Sequence, residues 1–139
     1  MMKRMVFLLT LTLGLGILIG TLGDRFVGAQ PTPVKRTELM RKDLGGLQGQ
    51  EGIMYLAEVA PGAAAGKHSH PGDELVYVLQ GAGILEEDGK APLTVKAGEV
   101  FSPPFKQVHN FKNASSTEPV KVLVVLVAPK GQPLALPAQ

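Results

Sequence analysis

The sequence predicts an all-β protein in which short antiparallel strands form a sandwich or a barrel. Two observations lead to this fold class. Short apolar runs recur along the chain with little helical periodicity, and turn residues separate them. The turns fall at five pairs, which are Pro61-Gly62, Pro71-Gly72, Asp88-Gly89, Ala97-Gly98 and Pro103-Pro104. Many short strands with regular turns are typical of layered or closed β folds.

We expect eight strands, each an apolar or alternating run bounded by turn residues. In chain order they cover residues 34–40, 53–60, 75–80, 84–87, 93–96, 100–102, 108–112 and 120–128. The run 122–127 contains six consecutive apolar residues, which predicts a strand that is buried on both faces. The Pro-, Ala- and Gly-rich segment 129–139 is expected to be an extended C-terminal arm.

The first 29 residues are expected to be an export signal and not part of the fold. Lys3 and Arg4 precede an apolar run, and the small residues Val27-Gly28-Ala29 occupy the usual cleavage positions. An uncleaved membrane anchor is the alternative, because about 18 apolar residues approach the length that spans a bilayer. Either way the protein is expected to be periplasmic or secreted. Residues 30–50 then form a linker and the first strand, and residues 51–128 form the single barrel domain.

Composition narrows the function classes. The full chain has 14 Lys and Arg against 12 Asp and Glu, but residues 1–29 hold three of the cations and one anion. The remaining 110 residues are therefore close to neutral, which argues against nucleic acid as a partner. No cysteine is present, so the chain has neither disulfides nor thiolate metal ligands.

All three histidines fit a metal site. His68 and His70 are two residues apart, so on a strand both rings face one side, and Pro71-Gly72 turns the chain so that Glu74 can face back towards them. His109 lies in a second segment framed by glycine and proline, which can fold onto the first. Three imidazoles and one carboxylate suit a divalent transition metal (Fe, Mn, Ni, Cu or Zn) better than Ca or Mg.

Two motifs carry a family resemblance. Gly62-x5-His68-x-His70-x3-Glu74-x6-Gly81 resembles the first cupin motif, and Gly98-x5-Pro104-x-Lys106-x2-His109-x3-Asn113 resembles the second. The chain is thus similar to small single-domain type-2 cupins of the quercetin-dioxygenase-like kind. The resemblance implies a double-stranded β-helix, a jelly-roll barrel, with metal ligands at His68, His70, Glu74 and His109. One position departs from the pattern, since Lys106 stands where the second motif usually has glycine.

Strand parity predicts which residues surround the metal. Val76 and Val78 share the face of Glu74, whereas Leu75, Tyr77 and Leu79 point to the opposite face. A second sheet of the same chain or a second copy of the chain would cover that opposite face, and we expect a homodimer. In the same way Phe111 and Asn113 share the face of His109, so Phe111 is a candidate wall of the cavity. Asn113 is a candidate hydrogen-bonding partner for a loop or for a group beside the ligands.

The expected function is a metal-dependent reaction on a small molecule. A six-coordinate ion on four protein ligands keeps two positions for substrate and dioxygen, so the resemblance favours an oxygenase for a small phenolic, enediol or dicarbonyl compound. Glu74 is then both a metal ligand and a candidate general base. The alternatives are a non-redox isomerase, decarboxylase or lyase, and a non-catalytic small-molecule-binding module.

Overall fold

The structure, a computed structural model, describes residues 32–138, and the regular elements of this part are all strands. They are β1 (Val34–Asp43), β2 (Gln50–Val59), β3 (His68–Ser69), β4 (Asp73–Gln80), β5 (Ala82–Glu87), β6 (Leu93–Lys96), β7 (Val100–Phe101), β8 (His109–Asn113), β9 (Val120–Pro129) and β10 (Leu136–Pro137).

These strands form two five-stranded antiparallel sheets. The first sheet has the order β1-β2-β9-β4-β7, and the second has the order β10-β3-β8-β5-β6. After β2 the chain passes from one sheet to the other at every connection except that between β5 and β6, as in a double-stranded β-helix. The predicted all-β jelly roll is therefore confirmed.

Alternating burial along the long strands places the core between the sheets. In β2 every second residue from Glu51 to Val59 is buried, and in β9 the same holds from Val120 to Ala128. Because side chains alternate across a strand, these residues form one inner face. Within the described part of one chain, residues 122–127 are fully buried on one face alone. Their outer face is half-buried, because no other part of residues 32–138 covers this side of the sheet.

The outer face of β4 is apolar and exposed. Leu75, Tyr77 and Leu79 keep between 43 and 54% of their surface accessible, and Val100 of β7 keeps 71%. The predicted parity of β4 is thus confirmed. No sheet within residues 32–138 covers these side chains.

The strand ends differ from the sequence prediction in two ways. β1 continues to Asp43 and β2 already begins at Gln50. The turn between them is closed by backbone hydrogen bonds among Leu44, Leu47 and Gln50. Two short strands, β3 and β10, were not expected, and they pair with each other. The expected export signal at residues 1–29 lies outside the described residues. Within residues 32–138 there is no helix long and apolar enough to cross a membrane.

Candidate metal centre

The four expected ligands come from both sheets. His68 of β3 and His109 of β8 are directly paired across their strands, and His70 follows β3 by one residue. Glu74 is the second residue of β4 in the first sheet and points inward. All four side chains are buried, with at most 8% of each residue exposed. The structure therefore brings together the residues that the two sequence motifs single out.

Backbone carbonyls fix the orientation of each imidazole. His68 Nδ1 donates to the carbonyl of Gly66 at 2.7 Å, His70 Nδ1 to that of Leu134 at 2.6 Å, and His109 Nδ1 to that of Gln107 at 3.0 Å. A carbonyl oxygen only accepts hydrogen bonds, so each Nδ1 must carry the proton. In the neutral ring Nε2 then has a free lone pair, which is the form that binds a metal.

The lone pairs converge on one point. The three histidines each offer a ligand atom within 4.8 Å of the others, and their ring centroids lie 4.5 to 5.2 Å apart. Glu74 Oε2 lies 3.2 Å from His70 Nε2 and 3.4 Å from His109 Nε2. Two ligands of one ion with bonds of about 2.1 Å are separated by roughly 3.0 to 3.4 Å, so these distances fit a shared cation.

Two of these atoms need a partner. His70 Nε2 and Glu74 Oε2 are buried and form no properly oriented hydrogen bond with any group in residues 32–138. Their separation of 3.2 Å does not satisfy them, because both atoms are acceptors when Nδ1 holds the ring proton. Buried polar atoms without a partner are costly. A divalent cation would satisfy both, so the donor set fits a metal ion.

The local pKa values favour the ligand forms of two of the groups. Burial raises the pKa of the Glu74 carboxyl, but the neighbouring His109 and His70 lower it by a larger amount. The net pKa is about 2, below its ordinary value. Burial also lowers the pKa of His68, which keeps that ring neutral. For His109, burial lowers the pKa and the neighbouring Glu74 carboxylate raises it more. A proton on His109 therefore competes with a metal for the site.

The four ligands line a narrow cavity between the sheets. The volume of this cavity is about 40 Å³, which is room for a few waters. Its walls are mostly apolar, and the residues beside the ligands are Val34, Arg36, Tyr55, Ala57, Val59, Ala65, Val76, Phe101, Phe111, Val122 and Val124. The cavity thus has the apolar walls and few polar groups that are typical of a small-molecule site.

The four pocket candidates from the sequence have different places. Val76 and Phe111 line the cavity, and the Phe111 ring stacks on Phe101 with centroids 5.3 Å apart. Val78 is fully buried in the core and does not line the cavity. Asn113 holds loops together, since its Nδ2 donates to the carbonyls of Val59, Ala60 and Glu118 at 2.8 to 3.1 Å.

Lys106 adopts the backbone conformation that the glycine of the motif would favour. Its φ is 59°, in the left-handed region that non-glycine residues seldom occupy. The side chain is exposed, and its Nζ lies 5.1 Å from the centroid of the Phe105 ring. Lys106 does not line the metal cavity.

Three features of the site were not found from the sequence. Tyr55 is 2% exposed and faces the cavity, Arg36 reaches it from β1, and the Leu134 carbonyl orients His70. The alternation of Ile53, Tyr55 and Ala57 could have placed Tyr55 on an inner face. The position of Arg36 depends on strand register, and that of the Leu134 carbonyl depends on the path of the C-terminal arm. The sequence has no local signal for either.

Solved structures share the fold. A conserved protein with a double-stranded β-helix domain from Klebsiella pneumoniae is 22% identical, with 84% of this chain and 94% of that chain covered and a TM-score of 0.62. A cupin-like protein from Thermotoga maritima is 27% identical, with coverages of 76% and 75% and a TM-score of 0.61. The DMSP lyase DddQ from Ruegeria pomeroyi is 18% identical, with a TM-score of 0.62, and the match covers 81% of this chain and 56% of the lyase. No curated protein matches this chain.

A family model gives the assignment. The model described as a cupin domain matches residues 55–126, more than half of the chain, and this range includes all four candidate ligands. The fold and the paired motifs agree with that match. The chain therefore belongs to the cupin family.

Proposed function

We propose that this cupin is a metal-dependent enzyme that binds one divalent transition-metal ion on His68, His70, Glu74 and His109 and acts on a small organic molecule. The convergence of buried, partnerless acceptors, His70 Nε2 and Glu74 Oε2, is the observation that carries the proposal. Three neutral imidazoles and a carboxylate suit Fe, Mn, Ni, Cu or Zn. When bound, the ion supplies Lewis acidity to an oxygen of the substrate.

Two side chains of the cavity are suited to proton transfer. The Glu74 carboxylate is ionised at neutral pH, so either oxygen that is free of the ion can accept a proton from the substrate. Burial raises the pKa of Tyr55 far above its ordinary value, and the Glu74 charge raises it further. Tyr55 therefore keeps its proton and can donate a hydrogen bond to an oxygen that gains negative charge. Apolar side chains such as Val76 and Phe111 line the same cavity.

The size of the cavity favours a non-redox lyase or isomerase. A cavity of about 40 Å³ suits a substrate of a few heavy atoms better than a molecule as large as a flavonol. Removal of a proton by Glu74 and stabilisation of the resulting oxyanion by Tyr55 is the chemistry of an elimination or isomerisation. Two of the solved structures with the same fold are DMSP lyases, which supports this class.

An oxygenase that acts on a small enediol or dicarbonyl compound is the second candidate. The observation in its favour is the donor set itself, because four protein ligands leave two positions on a six-coordinate ion for a chelating substrate and dioxygen. In this reaction Glu74 would take the proton of the enediol and so produce the chelating anion.

Metal analysis tests the common part of both candidates. Protein loaded with Zn(II), Mn(II) or Ni(II) should retain one ion per chain after desalting, and His109→Ala should retain none. Lys112→Ala is the matched control, because Lys112 lies on the same strand and its Nζ binds Glu86 at 2.7 Å. A variant without His109 that keeps a full ion would refute the proposed site.

Turnover with and without dioxygen separates the two reactions. We would screen small hydroxy acids, β-substituted carboxylates and β-dicarbonyls on the loaded protein. A lyase or isomerase forms product at the same rate under strict anaerobiosis, whereas an oxygenase consumes dioxygen in proportion to product. Both activities must be lost in Glu74→Gln. Ligand-dependent thermal stabilisation without product under either condition would instead identify a binding module.

We also propose that the chain forms a homodimer through the outer face of β4. Leu75, Tyr77, Leu79 and Val100 form an apolar patch of the kind that monomers seldom expose. The patch lies on the opposite face of β4 from Glu74, so a second copy placed there would bury it without blocking the metal cavity.

A further inference from the structure

We propose that Arg36 binds an anionic group of the substrate, so that this enzyme acts on a small carboxylate held between the metal centre and the guanidinium. This inference rests on the proposed function, because it assigns the substrate class of the same site. It adds a second anchoring point, at the β1 side of the cavity, to the four metal ligands.

The register of β1 and β2 directs Arg36 to the cavity. Arg36 is paired with Ala57 and Val34 with Val59, and directly opposed residues of an antiparallel pair point to the same face. Ala57 and Val59 are buried and line the cavity. Val34, which is half-buried, and Arg36, which is exposed to solvent, line it as well. Because Ala57 has only a methyl group, it leaves space beside the cavity for the guanidinium.

No carboxylate in residues 32–138 lies within 4.0 Å of the Arg36 guanidinium, although the inner face of β1 has one close by. Glu38, two residues further along, is held by Arg41 at 2.9 Å. Arg41 also binds the buried Glu51 at 2.6 Å. Arg36 therefore faces the cavity without a counter-ion from the described part of the chain.

Six basic residues of the described range are paired with an acidic group, which are Arg41, Lys67, Lys90, Lys112, Lys121 and Lys130. Lys35, Lys42, Lys96 and Lys106 have no such partner within residues 32–138, so position and not the missing counter-ion distinguishes Arg36. Arg36 differs from these residues because it lines the site where a substrate would bind.

Tyr55, the other polar group near Arg36, leaves most of the guanidinium N–H groups free. Tyr55 and Arg36 line the same cavity, and the Arg36 charge opposes the rise in the Tyr55 pKa that burial and Glu74 cause. A phenol oxygen accepts at most two of the five guanidinium N–H groups. The rest can form the paired hydrogen bonds that a planar carboxylate accepts from arginine.

The substrate class follows from the two kinds of group in the cavity lining. The four metal ligands would hold an ion that accepts an oxygen donor, and the Arg36 guanidinium can bind a carboxylate. A small carboxylate with a second oxygen function is therefore the ligand that can use both.

Two probe molecules isolate the contribution that the second carboxylate of the ligand makes to binding affinity. Succinate and succinamate have the same length and share one carboxylate for the metal, but the second end is charged in succinate and neutral in succinamate. We would measure the affinity of both by calorimetry for Zn(II)-loaded protein, for Arg36→Gln and for the control Lys35→Gln. Lys35 is the neighbouring cation on the outer face of β1, so its replacement removes the same charge away from the cavity.

We expect the parent protein and Lys35→Gln to bind succinate at least tenfold more tightly than succinamate, and this preference should fall below threefold in Arg36→Gln. Arg36→Lys should recover part of it, since it restores the charge without the planar fork. A preference that survives in Arg36→Gln, or its absence from the parent protein, would overturn the role of Arg36. Zn(II) stoichiometry is measured first on every variant. A parent protein that binds no ion contradicts the proposed metal centre, and this result is distinct from a failure of the role of Arg36.

Discussion

Replacing Gly72 by alanine should damage both the fold and the metal site. An added Cβ would lie 1.9 Å from the carbonyl oxygen of Val127 and 2.7 Å from Cα of Ala128. Both atoms belong to the backbone of β9, which pairs with β2 on one side and β4 on the other and therefore cannot move away. The turn that contains Gly72 must shift by more than 1 Å instead.

The magnitude follows from this forced movement. Overpacking of a core typically costs about 1–3 kcal/mol, and a clash with a central strand belongs at the upper end. At roughly 4 °C for each kcal/mol in a domain of this size, we expect the melting temperature to fall by about 12 °C. Gly72 lies between His70 and Glu74, whose ligand atoms are 3.2 Å apart, so the shift should also weaken metal binding by about tenfold or more.

Thermal unfolding followed by circular dichroism and a competition assay with a coloured chelator measure the two effects. Gly45→Ala is the control, because no heavy atom lies within 4 Å of its added Cβ, and its stability should change by less than about 0.5 kcal/mol. An unchanged melting temperature in Gly72→Ala would refute the packing argument. A lower melting temperature with full metal affinity would refute the link between this turn and the ligands.

Four further predictions concern separate parts of the molecule. Lys106→Gly should stabilise the protein by about 1 kcal/mol in urea unfolding, because glycine relieves a left-handed φ of 59°. Asn113→Ala should destabilise it by about 3 kcal/mol in the same assay, since three carbonyls lose their donor. In metal-free protein, the lowered pKa of Glu74 adds stability above its ordinary value of 4.5. That stability, about 3 kcal/mol, is lost as the pH falls towards 2. In a pH series of unfolding curves the loss should be smaller by this amount in Glu74→Gln, where the lowered pKa values of Glu38 and Glu86 still contribute. Tyr77→Lys should convert the proposed dimer to a monomer in light scattering, and a parent protein that is already monomeric would contradict the proposed interface.

Three of the four ligands that the sequence predicted lie close together along the chain. His68, His70 and Glu74 fall within seven residues, so turn chemistry and strand parity suffice to bring them together. His109 was placed by its motif, and the direct pairing of β3 and β8 is the physical reason that it meets the others. In these cases spacing along the chain and position in space are closely related.

The site residues that the sequence did not predict are placed by contacts between distant parts of the chain. Arg36 faces the cavity because β1 pairs in one register with β2, and a bulge between Glu38 and Met40 then shifts the pairing by one residue. A one-residue shift moves every following side chain to the other face, and neither the bulge nor the register has a local signal. The same reason applies to Leu134, whose carbonyl meets His70 across 64 residues of sequence.

The two-sheet origin of the ligands gives the metal ion a mechanical role. His68 and His109 belong to one sheet and Glu74 to the other, so a bound ion is a cross-link between layers in a chain that has no cysteine. A link between Glu74 and His109 through the proposed ion would close a loop of about 35 residues, for which chain-entropy arguments give about 4 kcal/mol, comparable to a disulfide. The proposed ion would therefore stabilise the folded barrel as well as supply the chemistry of its cavity.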